Sequence, residues 1–173
     1  METTQNVGEG SPRGARVGVV RESGPGERRV ALVPKIIPAL SKQGVEVIVE
    51  AGAGLGALIP DAAYVEAGAT IGDPWSAEVV VKVAPPSDAE VAKLSSGQTL
   101  IGFLAPRNAE NQIGALKSAG VQAFAVEAIP RISRAQVMDA LSSQANVAGY
   151  KAVLLAASES TRFFPMLLSL IHI

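Results

Sequence analysis

Apolar positions along this chain fall in short runs separated by polar or glycine-containing breaks, and the runs are of two alternating kinds. Residues 15–20, 45–49, 70–71, 78–83, 99–104 and 121–126 are brief and rich in Val, Ile and Leu, as expected of strands buried on both faces. Between them, 34–43, 61–67, 89–94 and 108–119 carry helical spacing, with Pro34 near the start of the first helix and Gly44 as its C-cap. Strands alternating with helices predict an α/β fold. The expected form is a doubly wound, mostly parallel sheet with helices on both faces, Rossmann-like or flavodoxin-like, with ligands at the carboxyl ends of the strands.

One segment departs from this pattern. Residues 130–150, PRISRAQVMDALSSQANVAGY, predict one helix with an unusual polar face. Wound at about 100° per residue, Gln136, Asp139, Ser142, Ser143 and Asn146 share roughly a third of the circumference, while Val137, Met138, Ala140, Leu141 and Ala145 fill the other side. A solvated face normally carries Lys and Glu, because Ser, Asn and Asp compete for backbone hydrogen bonds. Two readings explain the stripe. Ser133 and Gln136 have S-x-x-Q capping-box spacing, and Asp139 could complement the dipole in the first turn. That leaves Ser142, Ser143 and Asn146 without a role. Alternatively, the stripe and the nearby Arg131 and Arg134 read a neutral polar ligand, such as a nicotinamide amide or a ribose diol, better than a phosphate or a metal. Arg131, placed just before the helix, offers a rigid fork that lysine could not replace.

Three other features invite a ligand reading. Gly52, Gly54 and Ala57 satisfy G-x-G-x-x-A after a strand, but Pro60 and Asp61 look like the true helix start, so the glycines are expected to form a turn and not a phosphate cradle. Arg29, in an E-R-R run, is either solvated or ligand-facing. Lys82 interrupts the apolar run VVVKVA, and a lysine is rarely buried unpaired, which predicts a strand-end side chain facing a cleft.

Composition narrows the class. With 48% hydrophobic residues and a net charge of −1, the 173-residue chain can bury a core and has no charge-based claim on nucleic acid or anionic membrane. Having no cysteine removes thiolate and zinc–sulfur chemistry, and the single histidine, His172, lies beside the C-terminus, so neither a metal site nor histidine catalysis is expected. No apolar run approaches the roughly 20 residues needed to span a bilayer, and residues 1–14 lack a signal-peptide core and read as a flexible leader.

Residues 130–150 resemble the R-I-S-R-A-Q-x-M-D-x-L-S-S-Q-x-N-x-A-G-Y signature of the NAD(H)-binding alpha subunit of proton-translocating NAD(P) transhydrogenases, and more loosely the related alanine dehydrogenases. RVGVVRESGPGERRVALVP, EVIVEAGAG, VVVKVAPP and GQTLIGFL follow in the same order as in both families, so the resemblance runs from about Ala15 to about Met166. Alanine dehydrogenases are similar at Arg29 and Lys82, which there hold the keto acid, but they place a catalytic histidine where this chain has Ala105. Alanine cannot exchange the proton that reversible amination requires. Transhydrogenation asks only that two nicotinamide rings be oriented and water excluded.

The resemblance implies hydride transfer from NADH to NADP+ coupled to proton translocation. NAD(H) would lie on this component and NADP(H) on a partner, beside membrane components. It implies that Arg131, Asp139 and Ser142 hold the nicotinamide carboxamide, that Gln136 orients the ring, and that the chain is peripheral on the cytoplasmic face, soluble in isolation and homodimeric when intact. An alanine-dehydrogenase-like oxidoreductase and a non-catalytic assembly module are the alternatives. The expected organisation is a leader over 1–14, the first domain over 15–149, and a truncated interdomain helix with a divergent tail over 150–173, the family's fingerprint lying in a second domain beyond. Phe163, Phe164, Met166, Leu167, Leu168 and Leu170 would then form an apolar cluster lacking its partner.

Overall fold

The fold, taken from a computed structural model, is described for residues 14–162; His172 and the apolar cluster from Phe163 to Leu170 lie outside the described residues. The chain divides at Ala128/Ile129 into two compact units.

The first unit is built on six parallel strands: β1 (Arg16–Val19), β2 (Glu46–Val49), β3 (Thr70–Ile71), β4 (Val79–Val81), β5 (Thr99–Gly102) and β6 (Gln122–Ala125). Their spatial order is β3-β2-β1-β4-β5-β6. The chain therefore works outward in one direction from β1, returns to the centre, and works outward in the other. Each strand falls within one of the apolar runs. The run 78–83 is longer than β4 because the ladder continues past it: the Lys82 amide donates to the Ile101 carbonyl at 2.9 Å and the Phe103 amide to Val83 at 3.1 Å.

The connecting helices are α1 (Ile37–Ser41), α2 (Asp61–Glu66), α3 (Asp88–Val91) and α4 (Glu110–Ser118). The predicted helix over 34–43 is a 3-10 turn, Pro34–Ile36, followed by α1, and Gly44 caps it with φ +79°, a conformation that favours glycine. Val19 and Val20 show how the sheet is covered twice. Successive side chains on a strand point to opposite faces, and both are fully buried, Val19 with Ile37, Val47, Val49 and Tyr64, and Val20 with Val80, Leu100, Leu104 and Leu116. Tyr64 keeps its hydroxyl satisfied by donating to the Leu32 carbonyl at 3.0 Å.

The second unit holds a 3-10 segment, Ser133–Met138, and a long helix, α5 (Ala140–Glu159), that buries none of its residues. Among the described residues no helix is long and apolar enough to cross a membrane.

Candidate functional site

The centre of the sheet is where its winding changes direction, between β1 and β4, and ligands of open α/β sheets bind at the carboxyl ends of strands at such a point. Glu22, just past β1, and Lys82, just past β4, meet there. The Lys82 ammonium lies 3.3 Å from Glu22 Oε2 and 2.9 Å from Glu90 Oε1, with side-chain exposures of 1%, 2% and 9% for Lys82, Glu22 and Glu90. Each carboxylate has further donors. Glu22 accepts from the amides of Val83 (2.6 Å) and Ala84 (3.2 Å), and Glu90 from the Ser87 amide (2.7 Å) and the Ser23 hydroxyl (3.2 Å). Burial works against the charge of Glu90, but the Ser87 amide and hydroxyl and the Lys82 ammonium outweigh it and hold its carboxyl below the ordinary range. Lys82 is thus the centre of a buried triad, paired with two carboxylates. A cavity of about 520 Å³ adjoins it, lined in part by Ser23, Ser87, Ala105, Asn108 and Gln112.

Ala105 adopts φ +46° beyond β5, and its amide and that of Leu104 both donate to Glu127 Oε1, at 2.5 and 2.9 Å. The cavity wall here is a methyl group on a turn held by Glu127. The Ala105 side chain itself has no group able to carry a proton.

Arg29 lines a different space, a cleft of about 190 Å³ beside the β2 turn, and Glu22 borders both. It pairs with Glu27, its backbone amide and Nε donating to Oε1 at 2.9 and 2.8 Å. The guanidinium hydrogen bond holds the Glu27 carboxyl down at about 2.

The G-x-G-x-x-A motif is a turn, as expected. Gly52 leads into a 3-10 segment, Leu55–Ala57, and α2 opens only at Asp61, whose carboxylate accepts the Gly52 amide at 2.9 and 3.1 Å. The amide a phosphate would need is taken by the protein's own anion.

Residues 130–150 do not form the single helix expected. The 3-10 segment ends at Asp139, whose ψ of 84° breaks the backbone before α5 starts. Aspartate is a strong N-cap residue, and here it takes that role: Oδ1 accepts the Ser142 amide at 2.9 Å, Oδ2 the Ser142 hydroxyl at 2.6 Å, and its carbonyl the Ser143 hydroxyl at 3.0 Å. The Ser142 side chain and amide, with Arg131 assisting, hold the Asp139 carboxyl below its usual range. The Ser133/Gln136 capping box is absent, because Ile132 occupies the cap position of the 3-10 segment without a side-chain bond. Nor does the apolar side pack, since only Ala135 is buried and Val137 is 95% exposed. The five polar residues therefore do not share one helical stripe. Asp139 and Ser142 are joined at the break, while Arg131 and Gln136 are exposed. Asp139→Ala is expected to fray the first turn of α5 and lower helical signal in far-UV circular dichroism, whereas Asp139→Asn, which keeps an accepting oxygen, preserves most of it.

Glu22 and Glu90 are absent from the sequence-derived candidates. Glu90 had a visible signal, since Ser87-Asp88-Ala89-Glu90 is an S-x-x-E capping box and forms as one. Glu22 had none. No group of three or more His, Cys, Asp or Glu side chains among the described residues is placed to hold a metal ion.

A six-stranded parallel sheet wound both ways from β1, with a cavity at the change of direction, defines a doubly wound α/β domain of the nucleotide-binding type. Residues 18–148 match the family described as alanine dehydrogenase/PNT, N-terminal domain, and the chain belongs to that family. It is 42% identical over 151 residues to NAD(P) transhydrogenase subunit alpha of Haemophilus influenzae, covering 86% of this chain and 30% of that protein. The crystal structure of transhydrogenase from Sinorhizobium meliloti superposes with a TM-score of 0.84 at 46% identity, covering 90% of this chain and 48% of that one. Alanine dehydrogenase of Bacillus subtilis is more distant, at 37% identity over 145 residues, 82% of this chain and 38% of that protein. The chain thus spans less than half the length of each of these relatives.

Proposed function

We propose that this chain is the NAD(H)-side component of a proton-translocating transhydrogenase, and that Arg131, Gln136, Asp139 and Ser142 form its nicotinamide subsite. The observation that carries the reading is the break at Asp139, where a carboxylate and a hydroxyl are locked together beside an exposed amide and a guanidinium. This set fits a carboxamide: Asp139 accepts from its NH2, Arg131 donates to its oxygen, and Ser142 fixes the Asp139 rotamer. Gln136 orients the ring.

When bound, NAD(H) supplies the hydride that passes to NADP+ on a partner component. The chain's own residues position and shield. No acid or base is required, which agrees with Ala105 lining the Lys82 cavity, and this favours transhydrogenation over amination of a keto acid. In this reading residues 15–149 serve as the first domain, 150 onward leads toward a second, and the component is a homodimer on the cytoplasmic face beside NADP(H)-binding and membrane components.

Among the described residues the only fingerprint-like glycines form a turn whose amide is occupied, so the ADP half of the cofactor finds no cradle there. A few neutral hydrogen bonds of roughly 0.5–1.5 kcal/mol each barely offset the cost of association, so NADH is expected to bind this chain with a Kd no tighter than about millimolar. Amide shifts in an NMR titration should cluster over 131–142. Shifts around Lys82 and Ala105 on adding pyruvate, with none at 131–142 on adding NADH, would favour the alanine-dehydrogenase-like reading instead.

A further inference from the structure

The cleft that Arg29 lines is walled by two more arginines, Arg21 and Arg28, together with Gly52 and Gly56. The acids bordering it are already engaged. Glu27 is tied to Arg29, and Glu22 to Lys82 and the Val83 and Ala84 amides. The Glu50 carboxylate, which does not border the cleft, accepts the backbone amide of Arg21 at 2.8 Å and not its guanidinium. Arg28 is anchored by Nε, which donates to the Gly56 carbonyl at 3.1 Å, and its terminal nitrogens form no hydrogen bond or ion pair among the described residues. The Arg21 guanidinium has no such partner either. Glycine keeps this wall close, because a Cβ at Gly56 would lie 3.0 Å from the Arg28 carbonyl oxygen.

Two arginines with open guanidinium donors line one cleft of about 190 Å³, a composition suited to an oxyanion. A carboxylate has two oxygens in one plane and satisfies one fork. A tetrahedral oxyanion presents oxygens in several directions and can engage two forks at once. The cleft lies at the carboxyl ends of β1 and β2, lined wholly by residues of the first unit, and the Gly52 amide that would suit a dinucleotide fingerprint is taken by Asp61. We infer that Arg21 and Arg28 form a binding site for a small tetrahedral oxyanion, inorganic phosphate or a phosphomonoester group, which shares no residue with the proposed nicotinamide subsite.

The test is titration of this chain with inorganic phosphate at constant ionic strength, followed by 31P line broadening and calorimetry, with sulfate and acetate as parallel probes. Saturable binding of phosphate and sulfate, weakened about tenfold by Arg21→Gln and by Arg28→Gln, is the expected result. Arg21→Gln removes no side-chain hydrogen bond or ion pair among the described residues, so loss of binding in that variant with an unchanged circular dichroism spectrum reports on the site. Acetate binding as tightly as phosphate would show a carboxylate site and overturn the assignment. So would phosphate binding that survives the double variant, or the absence of saturation. If phosphate binds without NADH shifts at 131–142, the oxyanion site stands although the nicotinamide reading fails.

Discussion

Lys82→Met is expected to destabilise the fold by about 3–5 kcal/mol, the usual cost of removing one partner from a buried ion pair. Methionine fills much of the lysine volume, so the loss is electrostatic. It leaves Glu22 and Glu90, 2% and 9% exposed, without the cation at 3.3 and 2.9 Å. Both retain backbone amides, Val83 and Ala84 for Glu22 and Ser87 for Glu90, so the variant should still fold in mild conditions. Urea melts of Lys82→Met and of the double variant Lys82→Met/Glu90→Gln check the argument, the second recovering some of the loss. The pH dependence has a definite sign. Glu90 is depressed in the folded wild type, so its contribution is fully present above the ordinary carboxylate range and disappears as pH falls through its folded value. Without Lys82 the Glu90 carboxyl protonates more readily, and the gap between variant and wild type narrows in acid. Equal urea midpoints at neutral pH would show that the triad adds nothing.

That charge balance also bears on chemistry. A free lysine at the change of winding would attract a carboxylate substrate, but here its charge is shared between two acids before any ligand arrives. With Ala105 in the same cavity wall, this corner of the sheet has a compensated cation and a methyl group at the end of β5.

Much of the architecture was legible because burial on both faces of a parallel sheet writes continuous apolar runs, as at 45–49 and 99–104, and because turn chemistry at Gly44 and Pro60 marks element ends. The break at Asp139 was not. A periodicity argument assumes one helix and counts angles along it, while an aspartate that caps from within the pattern resets the phase, and only its local bonds to Ser142 and Ser143 show it. The Lys82 triad was half legible. A lysine in VVVKVA announces a partner, but Glu22 is 60 residues away and only the β1–β4 pairing brings the two together. The pairing of Arg29 is by contrast local, since Glu27, its partner, lies two residues away.

Gly18→Ala should be nearly as damaging as the loss of Lys82, for a steric reason. Gly18 lies in β1, paired on both sides with β2 and β4, and a Cβ there would fall 2.0 Å from the Pro74 carbonyl oxygen and 2.7 Å from its carbon. Both atoms are backbone, and Pro74 is buried at the head of a 3-10 turn, Pro74–Ser76, so neither rotamer change nor local rearrangement relieves the clash. β1 or the turn must move. Overpacking of this kind costs about 3 kcal/mol, at the upper end of its usual range. Displacement of β1 would also shift Glu22, just past its end, so the Val83 and Ala84 amides that it holds at 2.6 and 3.2 Å should exchange faster than in the wild type. Gly114→Ala is the control. Nothing lies within 4 Å of a Cβ at Gly114 in α4, and alanine in a helix interior should stabilise by up to about 1 kcal/mol. Thermal melts of the two variants should therefore move in opposite directions. A Gly18→Ala protein that melts with the wild type, its Val83 and Ala84 amides still protected, would mean that β1 and the Pro74 turn pack more loosely than their contact distances require.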